Sequence, residues 1–167
     1  MSKIATLTTL PKNDLDGFRH AASVKTEMKD YPGLFADWTR TYLAEHGRDV
    51  GDFPWSGDVM ISVFLHLSEL GVDLLRSEHD AFEKTYLDET GKLFLKVLTP
   101  TQRGLHLAKL EGPFSKPTLL AWWCAFHGQE AGSHNEHLGD AMLDGIRLLA
   151  TALRTLDDDS VVLVQIG

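Results

Sequence analysis

The stretch Asp157-Asp158-Asp159-Ser160-Val161-Val162-Leu163-Val164-Gln165-Ile166 decides the fold class. Aspartate and serine side chains compete for backbone hydrogen bonds and favour turns, so the first four residues halt the helix before them. Residues 161–166 are rich in β-branched residues and apolar on both sides, which predicts a strand covered on both faces. Upstream, Leu138, Met142, Ile146, Leu149, Leu153 and Leu156 recur at three- and four-residue steps. That spacing predicts a long amphipathic helix, and Ser133 with Glu136 matches a capping box at its start. A long helix running into a buried strand excludes an all-helical bundle, because the strand needs partners.

Those partners are sought in residues 82–98. Alternation on both sides of Gly91 predicts a β-hairpin, with Leu93-Phe94-Leu95-Lys96-Val97-Leu98 the firmer arm and a helix over Ser77 to Leu87 competing for the first arm. The strand at 161–166 is expected to pair with this hairpin. The fold class is therefore α+β and helix-rich, with about six helices packed on a small antiparallel sheet.

The other helices follow from stop and start signals. Asn13 caps a first helix carrying Leu15, Phe18, Ala22 and Met28, which stops near Asp30 ahead of Pro32. Pro32 opens a second, with Leu34, Phe35, Trp38, Tyr42 and Leu43 as its stripe and Gly47 as its stop. Residues 48–56 read as a loop folded back onto the core by Phe53 and Trp55. Ser56 caps a third helix over 57–70, apolar on nearly every side. Thr99-Pro100 opens a fourth, and Pro117 a fifth running through Trp122, Trp123 and Phe126, an aromatic run expected to be buried. Residues 1–11 read as an extended lead-in to a single globular domain spanning 1–167.

The 167 residues carry 24 Asp and Glu against 16 Lys and Arg, a formal charge of -8. Such a field opposes binding to phosphate backbones and anionic membranes and favours basic partners. One cysteine, Cys124, excludes an internal disulfide and fits a reducing compartment. With no secretory signal pattern and no long apolar run, the expected location is cytoplasmic.

The densest polar cluster runs from His127 to His137, with three histidines and two glutamates inside eleven residues. A helix–loop–helix could converge His127, Glu130, His134 and His137 on a divalent transition metal, since imidazole and carboxylate suit zinc, iron, nickel or manganese. Ordinary packing of His134 at the edge of the helix stripe competes with this. His66, on one face with Ser62 and Glu69, is a candidate buried base or the polar seam of a core helix. Cys124 and His127 lie three apart, but the apolar run around Cys124 favours an inert thiol. Phosphate loops and serine elbows are absent.

Residues 93–104, Leu-Phe-Leu-Lys-Val-Leu-Thr-Pro-Thr-Gln-Arg-Gly, are similar to a phrase of winged-helix regulators, in which a strand runs into a Thr-Pro helix start. The resemblance covers a dozen residues and implies DNA binding. A DNA reader also needs clustered Lys and Arg on a recognition helix, whereas the helix ahead of the proposed hairpin carries Asp58, Glu69 and Asp73.

Size, charge and the missing catalytic set point instead to a non-enzymatic acidic protein. It would dock on and neutralise a basic protein partner, as immunity proteins and inhibitors do. Asp157, Asp158, Asp159 and Trp55 are the candidate contact residues, Trp55 because aromatics anchor interfaces. Metal binding at His127 to His137 is the alternative, and DNA regulation a weaker one.

Overall fold

The computed structural model describes residues 4–25, 27–29 and 31–167, with the backbone alone at 27 and 31–35. Its centre is an antiparallel sheet of four strands among the described residues, β1 (Ile4–Pro11), β4 (Arg48–Ser56), β5 (Phe94–Leu98) and β6 (Ser160–Ile166), in the order β4-β1-β6-β5. β2 (Glu27–Met28) and β3 (Tyr31–Phe35) form a separate ribbon. The helices are α1 (Leu15–Ser23), α2 (Trp38–His46), α3 (Gly57–Glu69), α4 (Asp80–Thr90), α5 (Pro100–Leu110), α6 (Lys116–His127) and α7 (His137–Thr155).

Helices cover both faces of the sheet, which explains the two-sided apolar run in β6. Val162, Val164 and Ile166 join Ala5 and Leu7 of β1 in a core shared with α3, α5, α6 and α7. Val161 and Leu163 point the other way and pack with Leu10, Leu95 and Val97 against Phe18 of α1 and Tyr86 of α4. The Phe18 and Tyr86 rings stack 5.1 Å apart. The α+β class, the long last helix and the C-terminal strand all stand as the sequence predicts.

The hairpin over 82–98 does not form. Residues 80–90 are the helix α4, ended by Gly91 in the left-handed region (φ 67°), and among the described residues β5 pairs with β6 alone. Phe82, Tyr86 and Leu87 satisfy helical spacing as well as alternation, so the pattern could not choose between them. Tertiary structure chooses through Glu83. Its carboxylate accepts the Val97 amide (2.8 Å) and the Lys96 ammonium (2.5 Å), and Lys96 also donates to the Leu75 carbonyl (2.7 Å). α4 thereby caps the outer edge of the sheet, a common protection for an edge strand. Burial pushes the Glu83 carboxyl above its usual range, against the hydrogen bonds from Lys96 and Val97.

The lead-in at 1–11 is more than a lead-in: β1 is an inner strand, paired on both sides. The loop expected over 48–56 is β4, an edge strand whose pairing with β1 slips at two irregularities. Gly51 (φ 153°) sits in this irregular stretch, and an edge position tolerates Pro54. The expected fold-back of Phe53 is correct, as its ring is buried. α1 ends at Ser23, short of Asp30, which lies outside the described residues, and Met28 falls in β2. The second helix starts at Trp38 rather than Pro32, with the Asp37 carboxylate accepting the Thr39 amide (3.1 Å) as its cap. α5 opens on the expected Thr99-Pro100, closed into a full capping box by Gln102. α7 opens at His137, and Ser133 with Glu136 forms a turn instead of a capping box. Among the described residues, no helix is long and apolar enough to cross a membrane.

Candidate functional site

α6 is the helix whose environment departs most from its composition. Ser115 caps it, accepting the Thr118 amide (3.3 Å), with Pro117 in the first turn and Gly128 (φ 63°) closing the other end. The intervening Leu-Leu-Ala-Trp-Trp-Cys-Ala-Phe predicts a helix enclosed on all sides. Yet only Leu119 and Cys124 are fully buried, Trp122 and Trp123 are half-buried, and Ala121, Ala125 and Phe126 are exposed. Phe126 keeps 49% of its surface in solvent. α6 packs on α7 on one side. It meets α3 on another, antiparallel, since Ser62 reaches His127 while His66 and Glu69 reach Trp122.

Five rings form a continuous chain along the seam between α3 and α6. His66 lies 4.7 Å from Trp122, Trp122 stacks on Phe126 at 4.9 Å, Phe126 meets His127 edge-on at 5.1 Å, and His127 lies 4.3 Å from Trp123. Polar handles hold them. The Trp122 indole N–H donates to the Glu69 carboxylate (2.6 Å). Ser62, itself buried, donates its hydroxyl to the Asp58 carbonyl (3.1 Å), which leaves its oxygen to accept from His127 Nε2 (3.2 Å). The serine proton is thus turned away from the imidazole, an arrangement that positions a ring and does not activate a nucleophile. Burial pushes the His66 imidazole below its usual range, opposed by the Glu69 charge, and among the described residues its Nδ1 has no hydrogen-bond partner.

The charge around this face is one-sided. α3 and the segment from Lys116 to His137 carry Asp58, Glu69, Glu130 and Glu136 against the single cation Lys116, which pairs with Asp140 of α7. A half-exposed aromatic centre beside carboxylates has the anatomy of a protein interface, with aromatic anchors in the middle and charge at the rim.

The histidine cluster read from the sequence is dispersed over different neighbours. His127 turns to Ser62 and Trp123. Glu130 is exposed and contributes its backbone carbonyl to Asn135 (3.1 Å). The His134 ring lies against Gly132, and His137 stacks on Trp55 at 5.9 Å. Among the described residues, no group of three or more His, Cys, Asp or Glu side chains is placed to hold a metal ion. What organises the segment is Asn135, whose amide also accepts from Gly132 (2.9 Å) and contacts the Cys124 sulfur (3.6 Å). Cys124 therefore faces inward, away from the side of α6 that carries Phe126.

Of the other candidate contact residues, Asp157 and Trp55 have side-chain partners. Asp157, Asp158 and Asp159 make the turn between α7 and β6. Asp157 accepts the Asp159 amide (3.0 Å), and bonds at this turn, chiefly with Ser160, hold its carboxyl below the usual range. Trp55 is half-buried and donates to Asp144 (3.0 Å). Sequence reasoning missed the α3–α6 face, because the run at 119–126 shows no polar side and so reads as interior. No protein-family model, curated protein or solved structure matches this chain.

Proposed function

We propose that this protein is a non-enzymatic docking module that binds and neutralises a basic protein partner, in the manner of an inhibitor or immunity protein. The contact would be the outer face of α6 with the adjoining edge of α3. The observation that carries the reading is an apolar helix left with Phe126 in solvent while Trp122 and His127 are held in place by Glu69 and Ser62. Rings already fixed in one orientation lose little freedom on binding, which favours affinity. The carboxylates of Glu69, Glu130 and Glu136 supply the charge that steers a cationic partner and rejects an anionic one. The aspartates of the 157–159 turn would add only to the long-range field.

The test places a photo-crosslinking phenylalanine analogue at the exposed position Ala125 and identifies the adduct formed in the native host. A basic protein is expected. Its affinity should fall about thirtyfold or more with Phe126→Asp, as for an aromatic hot spot. With Glu130→Lys plus Glu136→Lys, its association rate should fall and lose most of its salt dependence. An acidic adduct, or a basic one bound equally by all three proteins, overturns the proposal.

A further inference from the structure

α1 and α4 cover only part of their face of the sheet, and beyond them the strands change character. Along that face of β1 and β6, Leu10, Val161 and Leu163 lie beneath α1 and α4, but the next positions are Thr8, Thr6 and Gln165. Register extends the polar band to the edge strand: Asp52 stands opposite Thr6, Asp49 opposite Thr8, and Gln165 opposite Thr6 on the other side. Cross-strand neighbours of this kind sit about 5 Å apart, so these groups form one continuous floor. α2 roofs it. Glycine at position 47 permits the approach, since a Cβ there would lie 2.5 Å from the Thr8 methyl group. The result is a cleft of about 750 Å³, a volume in the range of small-molecule sites.

Two pairings remove some lining groups from consideration. Lys92 faces Asp37 at the cleft (3.8 Å), and Asp37 also caps α2. The Gln165 amide N–H donates to the Tyr86 hydroxyl (3.0 Å), a phenol that burial pushes up to about 12 and keeps protonated, so the Gln165 carbonyl oxygen remains as an acceptor. What is left is Asp52 and Asp49 on β4, Asp49 also accepting the Gly51 amide (3.3 Å), and Arg40 on α2, and among the described residues no ion pair joins Arg40 to either aspartate. Opposite charges held on different elements, over a floor of hydroxyls and an amide, suit a ligand that carries both charges itself.

The geometry points to a binding site for a small basic amino acid such as L-arginine. Its cationic groups would meet Asp49 and Asp52, its carboxylate would be forked by Arg40, and its aliphatic stem would lie along Leu43 and Ala44. Two cations and one anion on the ligand match one cation and two anions on the protein. The site is on the opposite face of the sheet from α6, so it stands or falls independently of the docking proposal.

Titration of the intact protein with L-arginine, followed by amide chemical shifts, tests it. Agmatine, which lacks the carboxylate, serves as the second probe. Shifts at Thr6, Thr8, Asp52 and Gln165 are expected, with at least tenfold weaker binding in Asp52→Asn. Arg40→Gln should weaken arginine binding tenfold and leave agmatine unaffected. Both altered residues are exposed, and the amide spectrum itself verifies folding. Absence of shifts up to about 10 mM, shifts confined to other residues, equal binding of agmatine and arginine by the unaltered protein, or indifference to both substitutions would each overturn the assignment.

Discussion

Replacing Glu83 with alanine strips one carboxylate from two donors at once. Its side chain is 4% exposed and that of Lys96 19%, with 2.5 Å between the charged atoms. Removing one member of a buried ion pair typically costs about 3–5 kcal/mol, because the survivor stays desolvated without compensation. Lys96 retains its bond to the Leu75 carbonyl and some access to water, which places the ammonium at the low end of that range. The Val97 amide loses its acceptor as well, a desolvation cost of about 1–3 kcal/mol. A total near 4 kcal/mol is expected. Lys96→Met alone should cost about 2 kcal/mol, since the abandoned carboxyl can protonate in a site that already raises its pKa. The double variant leaves the Val97 amide without its acceptor and the Leu75 carbonyl without the Lys96 donor, and should cost about 2–3 kcal/mol, less than the sum of the singles by at least 2 kcal/mol. Urea unfolding of the four proteins, followed by circular dichroism, measures the cycle. A loss below about 1 kcal/mol for Glu83→Ala, or single effects that add within about 0.5 kcal/mol, would refute the view that this pair pins α4 to the sheet edge.

Further expectations concern α3, α5 and the contact between α6 and α7. The folded state holds His66 below its ordinary pKa by burial, so the unfolded chain takes up the proton first. The resulting contribution to stability is present above about pH 6.5 and is lost as pH falls through the folded-state value. His66→Phe should flatten the stability–pH curve on the acid side, and an unchanged slope in urea titrations would remove His66 from that account. At Gly139 a Cβ would lie 2.7 Å from the Lys116 carbonyl oxygen, whereas at Gly104 it meets nothing within 4 Å. Gly139→Ala should therefore lower stability by about 1–3 kcal/mol by pushing α6 off α7, while Gly104→Ala, inside α5, should raise it by about 0.5–1 kcal/mol. Thermal scans showing shifts of the same sign for both would contradict this.

Features governed by nearest neighbours were legible in the chain itself. The 3.6-residue recurrence from Leu138 to Leu156 yields α7, Thr99-Pro100 yields the start of α5, and the apolar run after Ser160 yields β6. Each rests on hydrogen bonds or faces defined within a few residues. Strand pairing is not of that kind. Nothing local in 48–56 overrides its Gly and Pro, and only the proximity of β1 makes those residues a strand. Residues 80–90 satisfy two periodicities at once, and Lys96 with the Val97 amide selects the helix through Glu83. The fate of side chains is likewise a property of the assembled body. Whether Trp122 and Phe126 end inside or outside depends on how many neighbours α6 acquires. Whether His127, His134 and His137 converge depends on the turn that Asn135 imposes. Composition names the groups available for recognition, and only the three-dimensional arrangement of helices around the sheet decides which of them face outward together.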